Sequence, residues 1–200
     1  MPRAYSLAYL NSHRCTPPEA IRVAAATGYG FVGLRLWPNA PGAPQQHLLG
    51  NPQVLRETRA AQQDTGVGVF DLEIIRINEG FDPHTWDALF DAGAALQAKA
   101  ILVAGDDTDE ARLTDSYARL CEVMRPYGMT ADLEFMPWTA VPHAQAALRI
   151  VRNAGSPANA GRQHAADVGV QVVRCAPFED LAGCGGPTKA GGFHTHHRAH

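Results

Sequence analysis

Several functional classes are closed to this chain by what it lacks. It has no Cys-x-x-Cys pair; its four cysteines, Cys15, Cys121, Cys175 and Cys184, are scattered through 200 residues. A chain of this length with no visible export signal has little use for a disulfide framework, so reduced thiols in a cytoplasm are expected. Cys121 shares a helix face with Leu120 and Met124 and reads as packing. No apolar run approaches the roughly 20 residues needed to span a bilayer. Met1-Pro2-Arg3-Ala4-Tyr5 enters a strand-like run with no apolar leader, and no membrane partner is expected. An excess of basic charge is missing too. Seventeen Lys and Arg stand against 20 Asp and Glu, for a net charge of -3, which gives no footprint for a phosphate backbone and argues against nucleic acid. Glycine is absent from Asn11-Ser12-His13-Arg14-Cys15, the turn after the first strand, where a dinucleotide-binding sheet carries its phosphate loop.

What is present is one unit repeated. Tyr5 to Leu10 alternates as a first strand. Thr16-Pro17-Pro18-Glu19 then opens a helix with a capping residue, a proline at the first position and the glutamate of a capping box. That helix closes at Gly28. Phe31 to Leu36 is a second strand and Asn51-Pro52 starts a second helix, which ends at Gly66. Val67 to Ile77 is a third strand. Asp82-Pro83 starts a third helix, with Trp86, Leu89, Phe90, Gly93 and Leu96 on one stripe. Ala100 to Ala104, a helix from Thr108 to Gly128, a strand from Thr130 and a helix from Pro142 to Gly155 continue the alternation. Strand starts near Tyr5, Phe31, Val67, Ala100 and Thr130 lie about 30 residues apart, the length of a strand-helix unit in a parallel sheet. The expected fold is α/β, a partial (β/α)8 TIM barrel of five to six parallel units.

Eight units need about 250 residues, and five are spent by Gly155. Residues 1–157 are therefore assigned to the barrel portion and 158–200 to a divergent, Gly/His-rich tail, truncated or frame-shifted from a longer design. Val168 to Val173 reads as a sixth strand. His194, His196, His197 and His200 read as a solvated end. An open barrel exposes unpaired strand edges, so low stability, self-association as a homo-oligomer or a partly disordered end is expected.

The chemistry centres on Thr130-Ala131-Asp132-Leu133-Glu134-Phe135-Met136-Pro137-Trp138. Asp132 and Glu134 point to one face of a strand, and burying an unpartnered carboxylate is expensive. Pro137 cannot continue a central strand, which puts Glu134 at the C-terminal end, where barrels do their chemistry. Asp71-Leu72-Glu73 on the third strand repeats Asp132-Leu133-Glu134. One reading brings two carboxylates to a shared mouth. The other has such acids capping helices or pairing with arginines such as Arg35 and Arg76.

Leu133 to Trp138, after repeated units with Val32-Gly33-Leu34-Arg35 on the second strand, resembles the xylose-isomerase-like TIM barrels over about residues 4 to 157. The resemblance implies a sugar or sugar phosphate isomerase or epimerase with one divalent metal (Mn, Mg, Co or Zn), acting by proton transfer next to a carbonyl. It makes Glu134 both catalytic and a metal ligand, and has Arg35, Glu73 and Trp138 line the mouth as substrate-binding residues. Of the four expected ligands only Glu134 has a clear match, so the metal would be weakly held; Asp167 is a possible substitute. His13 could face the mouth, and His84 reads as exposed. Two other readings stay open: an endonuclease IV-like metal phosphodiesterase, and a non-catalytic, degenerate barrel fragment.

Overall fold

Among the described residues six parallel strands lie in one sheet in the order in which the chain makes them. They are β1 (Ser6–Leu7), β2 (Phe31–Leu34), β3 (Gly68–Ile77), β4 (Ala100–Gly105), β5 (Thr130–Glu134) and β6 (Val168–Gly169). The computed structural model describes residues 4–155 and 168–169. Between the strands run α1 (Tyr9–Ser12), α2 (Pro17–Ala26), α3 (Pro52–Thr65), α4 (Asp87–Ala95), α5 (Glu110–Met124) and α6 (Ala144–Ala154). A doubly wound sheet reverses its strand order at a switch point. This one never reverses, which is the winding of a barrel wall.

The two faces of the sheet are different materials. Strand residues such as Leu34, Leu72, Ile75, Ile101, Val103 and Leu133 share one core with Ile21, Phe90, Leu113, Tyr117 and Ile150 of the helices. Their alternating neighbours face away from the helices. There a separate cluster forms from Ile74, Leu102 and Ala104, with Met136 packed on it. That second face is the inner wall.

The helix ends are built from local chemistry. Glu19 accepts from the Thr16 N–H and the Thr16 hydroxyl, each at 2.8 Å, which holds its carboxyl below the usual range. Asn51 caps α3 through the Val54 N–H at 3.2 Å, and Gly66 closes it at φ 73°, where a side chain would be strained. Two starts shift from expectation by one or two residues. Asp109, rather than Thr108, caps α5 by accepting from the Arg112 N–H at 3.0 Å. His143, one past Pro142, caps α6 through its Nδ1 and the Ala146 N–H at 3.2 Å. Asp82-Pro83 opens a 3-10 turn, Pro83–Trp86, and α4 begins only at Asp87.

The first strand is shorter than its alternation suggests. After Leu7 the Asn11 N–H bonds back to the Ala8 carbonyl at 3.0 Å, and the chain coils into α1, carrying Tyr9 into the interior at 1% exposure. At the far end, Val168–Gly169 pairs with Ala131–Asp132; the rest of the expected sixth strand lies outside the described residues. No helix among the described residues is long and apolar enough to cross a membrane.

Candidate active site

Register places the acids. Ala104 on β4 pairs with Glu134 on β5, and Arg76 on β3 pairs with Ala104. Glu134 therefore stands on the inner face, level with Ala104, at the last residue of its strand. It is half-buried, and among the described residues no hydrogen bond or ion pair holds it. Burial, and then the charge of Glu73, push its carboxyl above the ordinary value.

The repeated Asp-Leu-Glu triplets do not sit at one height. Asp71 is level with Ala100 and Thr130, one layer deeper than Asp132. Its carboxylate lies against Gly33, where an added Cβ would stand 3.0 Å from Oδ2. Asp132 accepts from the Thr130 hydroxyl at 2.9 Å. The β3–β4 register slips between Leu72 and Ile75, so Glu73 and Ile74 together oppose Leu102. Glu73 thus sits about a layer below Glu134, close enough for its charge to be felt there.

Glu73 is not a free partner for Glu134. Its Oε2 accepts from Arg35 Nη2 at 2.6 Å, with the two side chains 10% and 13% exposed. The arginine pulls the Glu73 carboxyl down and burial pushes it up; burial is the larger effect, and the group ends above its ordinary value. Arg35 is held from three further directions. Its guanidinium carbon lies 4.3 Å from the centre of the Tyr9 ring. Its N–H donates to Gln46 Oε1 at 3.2 Å. Its carbonyl accepts from the Gln46 N–H at 2.7 Å. Gln46 in turn reaches the Cys15 carbonyl at 3.0 Å. The reading of strand-end acids as arginine partners is correct for Glu73, and Arg76 likewise pairs with Asp106 at 2.7 Å.

Trp138 stands on the loop after β5 at 76% exposure, with its ring largely in solvent rather than lining a wall. The aromatic groups nearer the strand ends are Tyr9 beneath Arg35, and Trp37 against Trp86 with ring centres 5.0 Å apart. Neither Tyr9 nor Gln46 stood out in the sequence. Tyr9 falls in a stretch that alternates like a strand, and Gln46 belongs to a long connection without periodicity. His13 is exposed and bonded through Nδ1 to the Leu10 carbonyl of its own turn at 3.0 Å. His84 is exposed as expected, 3.4 Å from Asp87. Asp167 and the histidines from His194 onward lie outside the described residues.

Among the described residues no three His, Cys, Asp or Glu side chains come together as metal ligands. Glu134 alone does not fit a divalent ion, which needs several oxygens in a set geometry. A shallow cleft of about 270 Å³, lined by Arg59, Gln62, Gly66 and Gln97 among others, opens beside Gly68, at the opposite end of β3. Glu134 does not line it.

No protein-family model matches the chain, and no curated protein does. Solved structures do. A xylose isomerase domain containing protein from Salmonella typhimurium LT2 superposes with a TM-score of 0.62 at 15% identity, over 76% of this chain and 57% of that one. The IolI protein with a bound zinc atom gives 0.62 at 14% identity, over 84% and 62%. D-psicose 3-epimerase with D-fructose gives 0.61 at 12%, again over 84% and 62%. The chain spans about three fifths of the length of these structures. At such identities the likeness is one of architecture: this chain has the fold of part of a TIM barrel, similar to that of these structures.

Proposed function

We propose that the chain carries the proton-transfer half of a sugar or sugar phosphate isomerase or epimerase site, with Glu134 as the group that moves the proton. One observation carries this reading: a half-buried carboxylate, unpartnered among the described residues, at the C-terminal end of a central strand, on the face away from the helices. The superposition with an epimerase supports it. Glu134, ionised, takes the proton from a carbon next to the carbonyl, and the C–H electrons move onto the carbonyl oxygen as an enediolate. For isomerisation the same carboxyl then returns the proton to the former carbonyl carbon while the hydroxyl proton passes to the former carbonyl oxygen; for epimerisation a second acid returns a proton to the opposite face of the same carbon. A carboxyl raised toward neutral pH is better matched to both directions of this transfer than an ordinary one. The divalent ion implied by the resemblance is not supplied with a complete site by the described residues, and no step here passes through it.

Among the described residues nothing on the inner wall favours phosphodiester hydrolysis, since His13 and His84 both stand exposed. The test is hydrogen exchange into substrate. The full chain, incubated in D2O with D-fructose or its 6-phosphate and millimolar Mn2+, is expected to wash deuterium into the carbon next to the carbonyl, read by proton NMR. Glu134→Gln should slow this by about 100-fold or more. Wash-in by the variant at the wild-type rate would remove Glu134 from the chemistry. No wash-in by the wild type would leave the inert barrel fragment as the better account.

A further inference from the structure

Four arginines among the described residues meet carboxylates, and they do so in two ways. Arg112 places Nε and Nη2 on the two oxygens of Asp107 at 2.7 and 2.8 Å. Arg149 does the same with Glu110, both at 2.7 Å. These are full two-pronged pairs, the geometry that guanidinium and carboxylate prefer. Arg76 and Arg35 use one prong only: Arg76 meets Asp106 with both side chains about a third exposed, whereas Arg35 is buried beside its carboxylate. Nη2 donates to Glu73 at 2.6 Å, while Nε–H is buried with no acceptor among the described residues. Two other buried side-chain atoms share that condition, Ser6 Oγ and Gln45 Oε1, and neither carries charge. Leaving a buried donor unmade is costly, and more so on a charged group. Slack side-chain placement does not explain it, because Tyr9 supports the guanidinium from one side and Gln46 fixes the Arg35 backbone at both N–H and carbonyl.

We infer that Arg35 is the anchor for an anionic oxygen of the substrate, a carboxylate or a phosphate, taken on the Nε–H edge that Glu73 leaves empty. The inference deepens the reading of this mouth as a sugar site and rests on it. It narrows the substrate class to acidic or phosphorylated sugars. Glu73 then has a defined part: it fixes the guanidinium through Nη2, and its charge opposes the anion arriving at Nε–H.

The test measures binding by calorimetry on the full chain, in low-salt buffer free of phosphate. The probes are D-fructose 6-phosphate, D-gluconate and neutral D-fructose. A charge-assisted hydrogen bond predicts that at least one anionic probe binds about tenfold or more tighter than D-fructose, and which one does so identifies the source of the charge. Arg35→Gln should erase the preference. Arg35→Lys should keep part of it, as a point charge without the fork. Glu73→Gln should tighten the anion several-fold by removing the opposing charge. Equal binding of the three probes, or a folded Arg35→Gln that keeps the preference, overturns the inference. If Arg35→Gln does not fold, Glu73→Gln decides: unchanged or weaker anion binding overturns it. Glu134→Gln should leave the preference intact, so loss of deuterium wash-in without loss of anion binding separates a failure of the proton-transfer reading from a failure of this one.

Discussion

Glu134 and Asp107 are carboxylates at or just past the ends of neighbouring strands, and their surroundings drive them in opposite directions. Asp107 is gripped by Arg112, whose hydrogen bonds hold its carboxyl below the usual range. Its stabilising contribution is present above the unfolded carboxyl value and is lost as pH falls through the lower folded value. Asp107→Asn should therefore lower the melting temperature at pH 7, and the gap to wild type should shrink on acidification. Glu134 has the reverse sign. Its folded pKa lies above the ordinary 4.5, so the favourable term exists below that value and disappears as pH rises through the folded one. Glu134→Gln should be more stable than wild type at pH 7 by a fraction of a kcal/mol, because solvent screens a half-open group. The gain should fade toward pH 4 in thermal melts; a gain of constant size across that range would refute the assignment. The place of Glu134 was legible because Pro137 marks the end of its strand. The orientation of Trp138 was not, since nothing local tells a loop tryptophan which way to turn. Glu73 was legible only as two alternatives, and the partner that decides between them lies 38 residues away.

Elements were easiest to read where a cap and a period agree. Asn51-Pro52 and Gly66 bracket α3 as expected, and Asn51→Ala should cost about 1 kcal/mol through loss of the cap, read by urea denaturation. Close approaches are invisible in a sequence. A Cβ on Gly105, the last residue of β4, would meet Val141 Cγ2 at 2.5 Å and Leu113 Cδ2 at 2.9 Å. Val141 is stiff and Leu113 is packed, so Gly105→Ala should destabilise by about 1–3 kcal/mol. A neutral result in the same urea titration would mean that the loop carrying Val141 yields. The slip in β3 defeats pattern reading in another way. Glu73 and Arg76 are three residues apart, which on a regular strand puts them on opposite faces, yet both line the inner wall because one extra residue is absorbed between Leu72 and Ile75. β1 is two residues long rather than six, because the chain coils into α1 after Leu7 and takes Tyr9 into the interior beside Arg35.

At the scale of the whole molecule, the strands are unequal. β3, β4 and β5 have 10, 6 and 5 residues, while β1 has 2. Native-state hydrogen exchange is expected to be slowest at amides of β3 to β5 and fast at β1; uniform protection across the sheet would contradict this. A Mn2+ titration followed by thermal unfolding should raise the melting temperature only at millimolar metal, given one ligand among the described residues, and Glu134→Ala should abolish the shift. A micromolar response would mean that further ligands come from elsewhere in the chain. Strand order and fold class were legible because five units repeat at similar length. The separation of the sheet into a helix-packed face and an inner face has a genetic consequence. A saturation library across β4 and β5 should sort with a period of two, substitutions at Ile101, Val103, Ala131 and Leu133 lowering protein abundance while those at Glu134, on the other face, leave protein that still accumulates. In β3 that rhythm should skip a beat at Ile74.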